Sequence, residues 1–196
     1  SQSSASRVES TQDKLLATLS PALQGLALRG TLRSFAKNAI IVSEGDAGDT
    51  LFVLIKGQVR VFSADMEGRE ITYDLVQQDD FFGEMTLDGG HRSASVLALE
   101  PCTVSVVTRA AVREHLEAEP GFAMELVARV IDRARKATEA ARSMALLGVY
   151  GRVAALLESY GGPGREEVPV AIHPITHLDI ANRVGASREM VSRLLK

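Results

Sequence analysis

The chain has 196 residues and a mass of 21.0 kDa, with 45% hydrophobic and 24% charged residues. That mixture suits a packed core and excludes a disordered or collagen-like chain. No apolar run approaches the roughly 20 residues of a membrane helix, SQSSASRVES is not a signal peptide, and a lone Cys102 forms no internal disulfide, so a cytoplasmic protein is expected. The net charge is −3, with 11 Lys/Arg against 17 Asp/Glu in residues 1–119, and a non-specific duplex binder would be far more basic; any reading of DNA must rest on particular positions.

A short helical pattern around Leu15, Leu16 and Leu19 opens the chain. Up to about residue 109 the period is then two: Val59 and Val61 alternate with Arg60, Ile71, Tyr73 and Leu75 with Thr72 and Asp74, and Val104 and Val106 flank Ser105. Turn signals separate these runs: EGDAGD at 44–49, KG at 56–57, DMEG at 65–68 and DGG at 88–90. Many short strands with frequent turns predict a small β-barrel or jelly roll.

From Pro120 the period changes. No glycine or proline falls between Gly121 and Gly148, and Met124, Val127, Ile131, Ala134, Thr138, Ala141 and Ala145 recur at alternating spacings of 3 and 4. This heptad seam predicts a long helix that pairs with a second copy in a parallel dimer. A second stripe, Leu126, Val130 and Met144, is available to the barrel. A helix over about 149–160 and a GGPG loop at 161–164 follow, with Gly148 and Gly151 marking a candidate hinge.

Thr176 then stands three residues before Asp179, the capping-box spacing, and Ile180, Ala181 and Val184 form an apolar face. Gly185 interrupts, Ser187 is placed to cap a second helix, and Val191, Leu194 and Leu195 are expected to face inward. Two short helices about a glycine turn predict a helix-turn-helix. On the second, Arg188, Glu189, Ser192 and Arg193 fall within about 140° of arc. Arg pairs bidentately with guanine, Glu accepts from cytosine, and Ser reaches phosphate or a base edge; the same set also fits a solvated amphipathic face.

ITHLDIANRVGASREMVSRLLK at 175–196 resembles the DNA-binding element of the cyclic-AMP receptor and fumarate–nitrate regulator (Crp/Fnr) family of bacterial transcription factors. IVSEGDAGDTLFVLIKGQVRVF at 41–62 and FFGEMTLDGGHRSASV at 81–96 resemble the same family's cyclic-nucleotide-binding barrel. The resemblance implies an α+β chain: a sensor barrel over 12–119, a dimerisation helix over 120–147 and a winged helix-turn-helix over 148–196, with the wing missing beyond Lys196.

It implies an effector pocket of Gly83, Glu84, Met85, Arg92 and Ser93, with Thr138 reaching in from the long helix and cyclic AMP as the candidate effector. Arg92 would neutralise a cyclic phosphate, Ser93 would donate to it and Glu84 would accept from a ribose hydroxyl. DNA contacts would come from Thr176, Ser187, Arg188, Glu189, Ser192 and Arg193 on palindromic sites with TGTGA-like half-sites. The loop at about 161–171 is where such proteins touch RNA polymerase.

The chain departs from the receptor itself in a shorter Glu84-to-Arg92 loop, in His91 ahead of the arginine and in Ala137–Thr138 at its adenine-reading Thr-Ser pair. One cysteine cannot hold an iron–sulfur cluster, and His173 with His177 falls short of a zinc site, so no metal is expected. Nor do the four histidines, none in a predicted barrel strand, or any P-loop support an enzyme. Two other readings remain at this stage: a nucleotide-sensing module acting through protein partners, and a DNA-binding regulator that needs no effector.

Overall fold

The computed structural model describes residues 13–161 and 174–196. Its contacts divide the chain into two units: one holds the residues up to Ser63 together with Asp74–Val127, the other Ala64–Tyr73 with Ala128–Lys196. The GGPG loop and the segment expected to touch RNA polymerase fall almost wholly within 162–173, outside the described residues.

A short helix α1 (Pro21–Ala27) precedes eight strands: β1 (Thr31–Phe35), β2 (Ile40–Val42), β3 (Thr50–Lys56), β4 (Val59–Ala64), β5 (Glu70–Val76), β6 (Asp80–Phe82), β7 (Ser95–Ala98) and β8 (Cys102–Thr108), all in the first unit except Ala64 of β4 and Glu70–Tyr73 of β5. They form two four-stranded sheets, ordered β1-β8-β3-β6 and β2-β7-β4-β5. The expected barrel is therefore an open one, two sheets of a jelly roll. Phe52 and Leu54 of β3, Phe82 of β6 and Val104 of β8 meet Val42, Val59, Val76 and Val96 of the other sheet to make the core between them.

β3 and β8 are central and carry a second apolar layer on their other face, where Leu51, Val53, Ile55 and Val107 pack under α1 and α2 (Arg109–Ala118). This is why the run LFVLI does not alternate, and why Ser105, expected to point outward, is buried instead: its hydroxyl donates to the Ala27 carbonyl at 2.7 Å. The reverse holds at Tyr73, expected inside but 58% exposed. Cys102 is buried beneath Gly57, its Sγ donating to the Glu100 carbonyl at 3.2 Å, and burial pushes its pKa up.

Thr108 caps α2, accepting from the Ala111 amide at 3.2 Å. On this helix His115 is buried against Gly25 of α1 and meets the Phe122 ring edge-on at 4.9 Å, while its Nε2 has no hydrogen-bond partner among the described residues. Burial, then the Arg29 cation, lowers its pKa below the usual 6.5, opposed by Glu119 and a hydrogen bond to the Ala22 backbone. The neutral ring is thus the native form, and the unfolded chain takes up the proton first. Stability is full above about pH 6.5 and is lost as the pH falls toward the lower folded value. Thermal melts between pH 7.5 and 5.5 are expected to fall more steeply for the wild type than for His115→Phe; parallel slopes would remove His115 as the cause.

The long helix α3 (Pro120–Leu146) is 27 residues, about 40 Å. It is fixed at its start by buried Phe122 and by Leu126 packed on the same cluster. Of the second stripe, Val130 and Met144 are each 40% exposed in the single chain, so only Leu126 serves the sensor core. The seam residues Met124, Val127, Ile131, Ala134, Thr138, Ala141 and Ala145 are all exposed.

In the second unit α4 (Val149–Gly161) follows a two-residue break at Leu147–Gly148. Gly148 thus lies where the hinge was expected, whereas Gly151 sits inside α4. Arg152 spans this junction: its Nε donates to the Val184 carbonyl at 2.7 Å and its Nη1 to the Leu147 carbonyl at 2.8 Å. Two short helices end the chain, α5 (His177–Val184) and α6 (Arg188–Leu194), and with α4 they bury Val153, Ile180, Ala181, Val184 and Val191.

Candidate effector pocket and DNA-reading helix

The pocket is built where two turns meet. The acidic turn at 44–49 is laced to residues 91–92: the Arg92 amide donates to the Asp46 carbonyl and the Gly45 amide to the Arg92 carbonyl, both at 2.8 Å, and Ala47 bridges His91. Opposite, β6 runs into Gly83, whose φ of 86° turns the chain into a single 3-10 turn, Glu84–Thr86. A side chain at Gly83 would be strained, and its Cβ would lie 2.8 Å from Arg92 Nη1.

Arg92 is 8% exposed and ties these turns together. Nη1 donates to the Thr50 carbonyl (2.9 Å), the Thr86 hydroxyl (3.0 Å) and the Gly83 carbonyl (3.1 Å), and Nη2 donates to the Thr50 hydroxyl (2.8 Å). The guanidinium also sits 5.4 Å from the centre of the Phe52 ring, itself stacked on Phe82. Burial lowers its pKa from the usual guanidinium value, while Asp49, Asp46 and Glu84 favour the charge. One cation therefore stands among three carboxylates.

Nε–H and the second Nη2–H make no hydrogen bond to a described residue. Gly48 lies over the face of the guanidinium: a Cβ there would sit 2.3 Å from Nε, 2.5 Å from Cζ and 2.8 Å from Nη2. The missing side chain lets the backbone pack on that face, and the unbonded Nε/Nη2 fork is the edge with which arginine takes two oxygens of a phosphate.

Of the residues expected in the pocket, Gly83, Glu84 and Arg92 are brought together. Met85 is 59% exposed and Ser93 is exposed. Thr138 belongs to the second unit, where its hydroxyl donates to the Ala134 carbonyl of its own helix at 3.0 Å. Thr50, Thr86, Gly48, Asp46 and Asp49 escaped the sequence reading, the first two because hydroxyls inside a strand and a turn carry no motif.

The reader is assembled as its local signals predict. Thr176 and Asp179 form the full capping box of α5, Gly185 closes that helix at φ 63°, and Ser187 caps α6 by accepting from the Met190 amide at 3.2 Å. Val191 is fully buried, while Arg188, Glu189 and Arg193 are exposed and Ser192 half-buried. Leu195 departs from expectation at 39% exposure: at 100° per residue it lies about 20° from Arg188, on the outward face. Ser192 is engaged: its hydroxyl is 2.9 Å from Nδ1 of His177 at the start of α5.

The model of the cyclic nucleotide-binding domain matches residues 32–119, and that of the bacterial regulatory proteins, crp family, matches 174–196. The chain is 36% identical to the cAMP-activated global transcriptional regulator Vfr of Pseudomonas aeruginosa, over 84% of this chain and 80% of that one. It is 30% identical to the cAMP-activated global transcriptional regulator CRP of Pasteurella multocida, over 91% and 88%. Among solved structures, the c-di-GMP responsive regulator CLP of Xanthomonas campestris shares the fold, with a TM-score of 0.75 at 20% identity, over 89% and 88%. The chain belongs to the Crp family: a DNA-binding transcription regulator that carries a cyclic nucleotide-binding domain over residues 32–119, and not an enzyme.

Proposed function

We propose that the effector is cyclic AMP, held by the uncovered fork of Arg92, and that it controls a homodimer reading palindromic TGTGA-like sites. The observation that carries the effector assignment is the Nε/Nη2 edge, unbonded to any described residue apart from the single Nη2 bond to Thr50, while Nη1 is anchored to Thr50, Gly83 and Thr86. An anchored guanidinium meets a phosphate with little side-chain entropy left to lose. Glu84, beside it, is placed to accept from a ribose hydroxyl, while Asp46 and Asp49 disfavour ligands of higher negative charge. Both cAMP-activated relatives support the choice of nucleotide.

The sensor spans 12–119, the dimerisation helix 120–147 and the reader 148–196. Self-association uses the exposed seam from Met124 to Ala145, whose small residues Ala134, Ala141 and Ala145 permit close helix approach. The nucleotide acts through its differential affinity for two arrangements of that dimer, one of which sets the two α6 helices about 34 Å apart, one turn of duplex. Thr138, on the seam, is the candidate contact to nucleotide; Thr176 and Ser187 support the DNA contacts of Arg188, Glu189, Ser192 and Arg193. Touching RNA polymerase through the 161–171 loop completes the reading, in the cytoplasm where the bacterial chromosome lies.

Isothermal titration with cyclic AMP, with cyclic di-GMP as the comparison ligand, tests the effector. Saturable micromolar binding of the mononucleotide is expected, and its absence would refute the assignment. For the operator, Arg188→Ala is expected to cost about 1–3 kcal/mol on a TGTGA-N6-TCACA duplex and to relax one G·C position. Fluorescence anisotropy showing equal losses on a scrambled duplex would reduce Arg188 to a phosphate contact.

A further inference from the structure

His177 and Ser192 are 15 residues apart and lie on different helices, yet Nδ1 of one stands 2.9 Å from the hydroxyl of the other. Both ends of this contact are built on rigid supports. His177 is the first residue of α5, directly after Thr176, whose amide and hydroxyl both donate to the Asp179 carboxylate at 2.8 and 2.6 Å. Ser192 follows Val191, which is fully buried against Ile180, Ala181 and Val184 of α5. His177 is exposed, so the contact adds little to the core. It lies on the same side of the reader as Arg188 and Arg193, where DNA is taken to lie.

A serine hydroxyl is a rotor with one hydrogen to give and lone pairs to receive. Left alone, it offers a base edge either function and so discriminates poorly. The imidazole removes that freedom. When Nδ1 accepts, the serine hydrogen is committed and the oxygen faces outward as an acceptor, suited to the amino groups of cytosine or adenine. When Nδ1 donates, the hydrogen is left for guanine or for thymine O4. In either tautomer one function is selected.

We propose that His177 is a positioning residue for sequence reading: it fixes the Ser192 hydroxyl so that serine discriminates one base pair of the half-site. This rests on the reading of α6 as the recognition helix. The test uses the full chain with cyclic AMP and a panel of TGTGA-N6-TCACA duplexes carrying all four base pairs at each half-site position, plus a scrambled duplex. Ser192→Ala and His177→Ala are each expected to flatten the preference at the same position by about three- to tenfold, and the double variant no further. His177→Asn, whose amide δ atoms extend from Cγ as Nδ1 does, is expected to restore part of it, with unfolding midpoints unchanged throughout.

Additive losses, losses at two different positions, or a uniform loss on specific and scrambled duplexes alike would overturn the proposal. Arg188→Ala and Arg193→Ala separate the two levels. If neither changes base preference, the reading of α6 fails and the pair falls with it. If both do while His177→Ala does not follow Ser192→Ala, only the pairing is refuted.

Discussion

Arg92→Ala is expected to lower cyclic-AMP affinity at least thirtyfold and to destabilise the chain by about 2–3 kcal/mol. The first effect is the loss of the uncovered fork, a cation that Asp46, Asp49 and Glu84 all favour; losing a buried charge contact costs about 2–5 kcal/mol. The second follows from what Nη1 and Nη2 leave behind: the Thr50 and Gly83 carbonyls and the Thr50 and Thr86 hydroxyls lose a shared donor, and each buried group left unsatisfied costs about 1–3 kcal/mol unless water replaces it.

Gly48→Ala perturbs the same group without removing its charge. A methyl group there would stand 2.3 Å from Nε, too close to be accommodated, so the guanidinium must shift from its anchors and nucleotide binding should fall with the charge retained. Titration calorimetry and urea unfolding on both variants give the two readouts. Undiminished cyclic-AMP binding by Arg92→Ala would move the effector elsewhere.

Val191→Asp is expected to abolish binding to every duplex while leaving the nucleotide pocket working. The reader's core holds five buried side chains, and Val191 is fully buried at their centre. A carboxylate there cannot keep its hydration, and its cost, on the order of 3–5 kcal/mol, exceeds what so small a cluster can absorb. The sensor has its own two apolar layers and does not depend on this one. Hydrogen exchange should lose protection over α4, α5 and α6 and keep it over β3 and β8. DNA affinity close to wild type would contradict the packing of Val191 against α5.

Much of the reader was legible because its signals are local. A capping box, a glycine at φ 63° and a second serine cap all act within four residues, and each is met. The long helix was legible through its period. The sensor was legible in class but not in arrangement. The pairing of β8 with β1 and β3 joins residues about 50 to 75 apart, and no local pattern records it. Ser105 was misplaced for that reason: alternation assumes one wet face, and a central strand with helices on one side has none.

The helix α2 was missed because its inward positions include a histidine, which the apolar period discounts. In the pocket, Arg92 was legible from its motif, but its partners were not: the Thr50 and Gly83 groups it bonds include backbone carbonyls, which every residue possesses. The same applies to Arg152 and the Leu147 and Val184 carbonyls.

The placement of Cys102 gives the molecule a built-in clock. Its sulfur is the only one in the chain able to form a thiolate, and it lies under Gly57 between the sheets with its proton held more tightly than usual. Alkylating agents and peroxides attack the thiolate and need a path to it, so neither reaches this sulfur while the sheets stay closed. Every modification event therefore counts one opening of the sensor core.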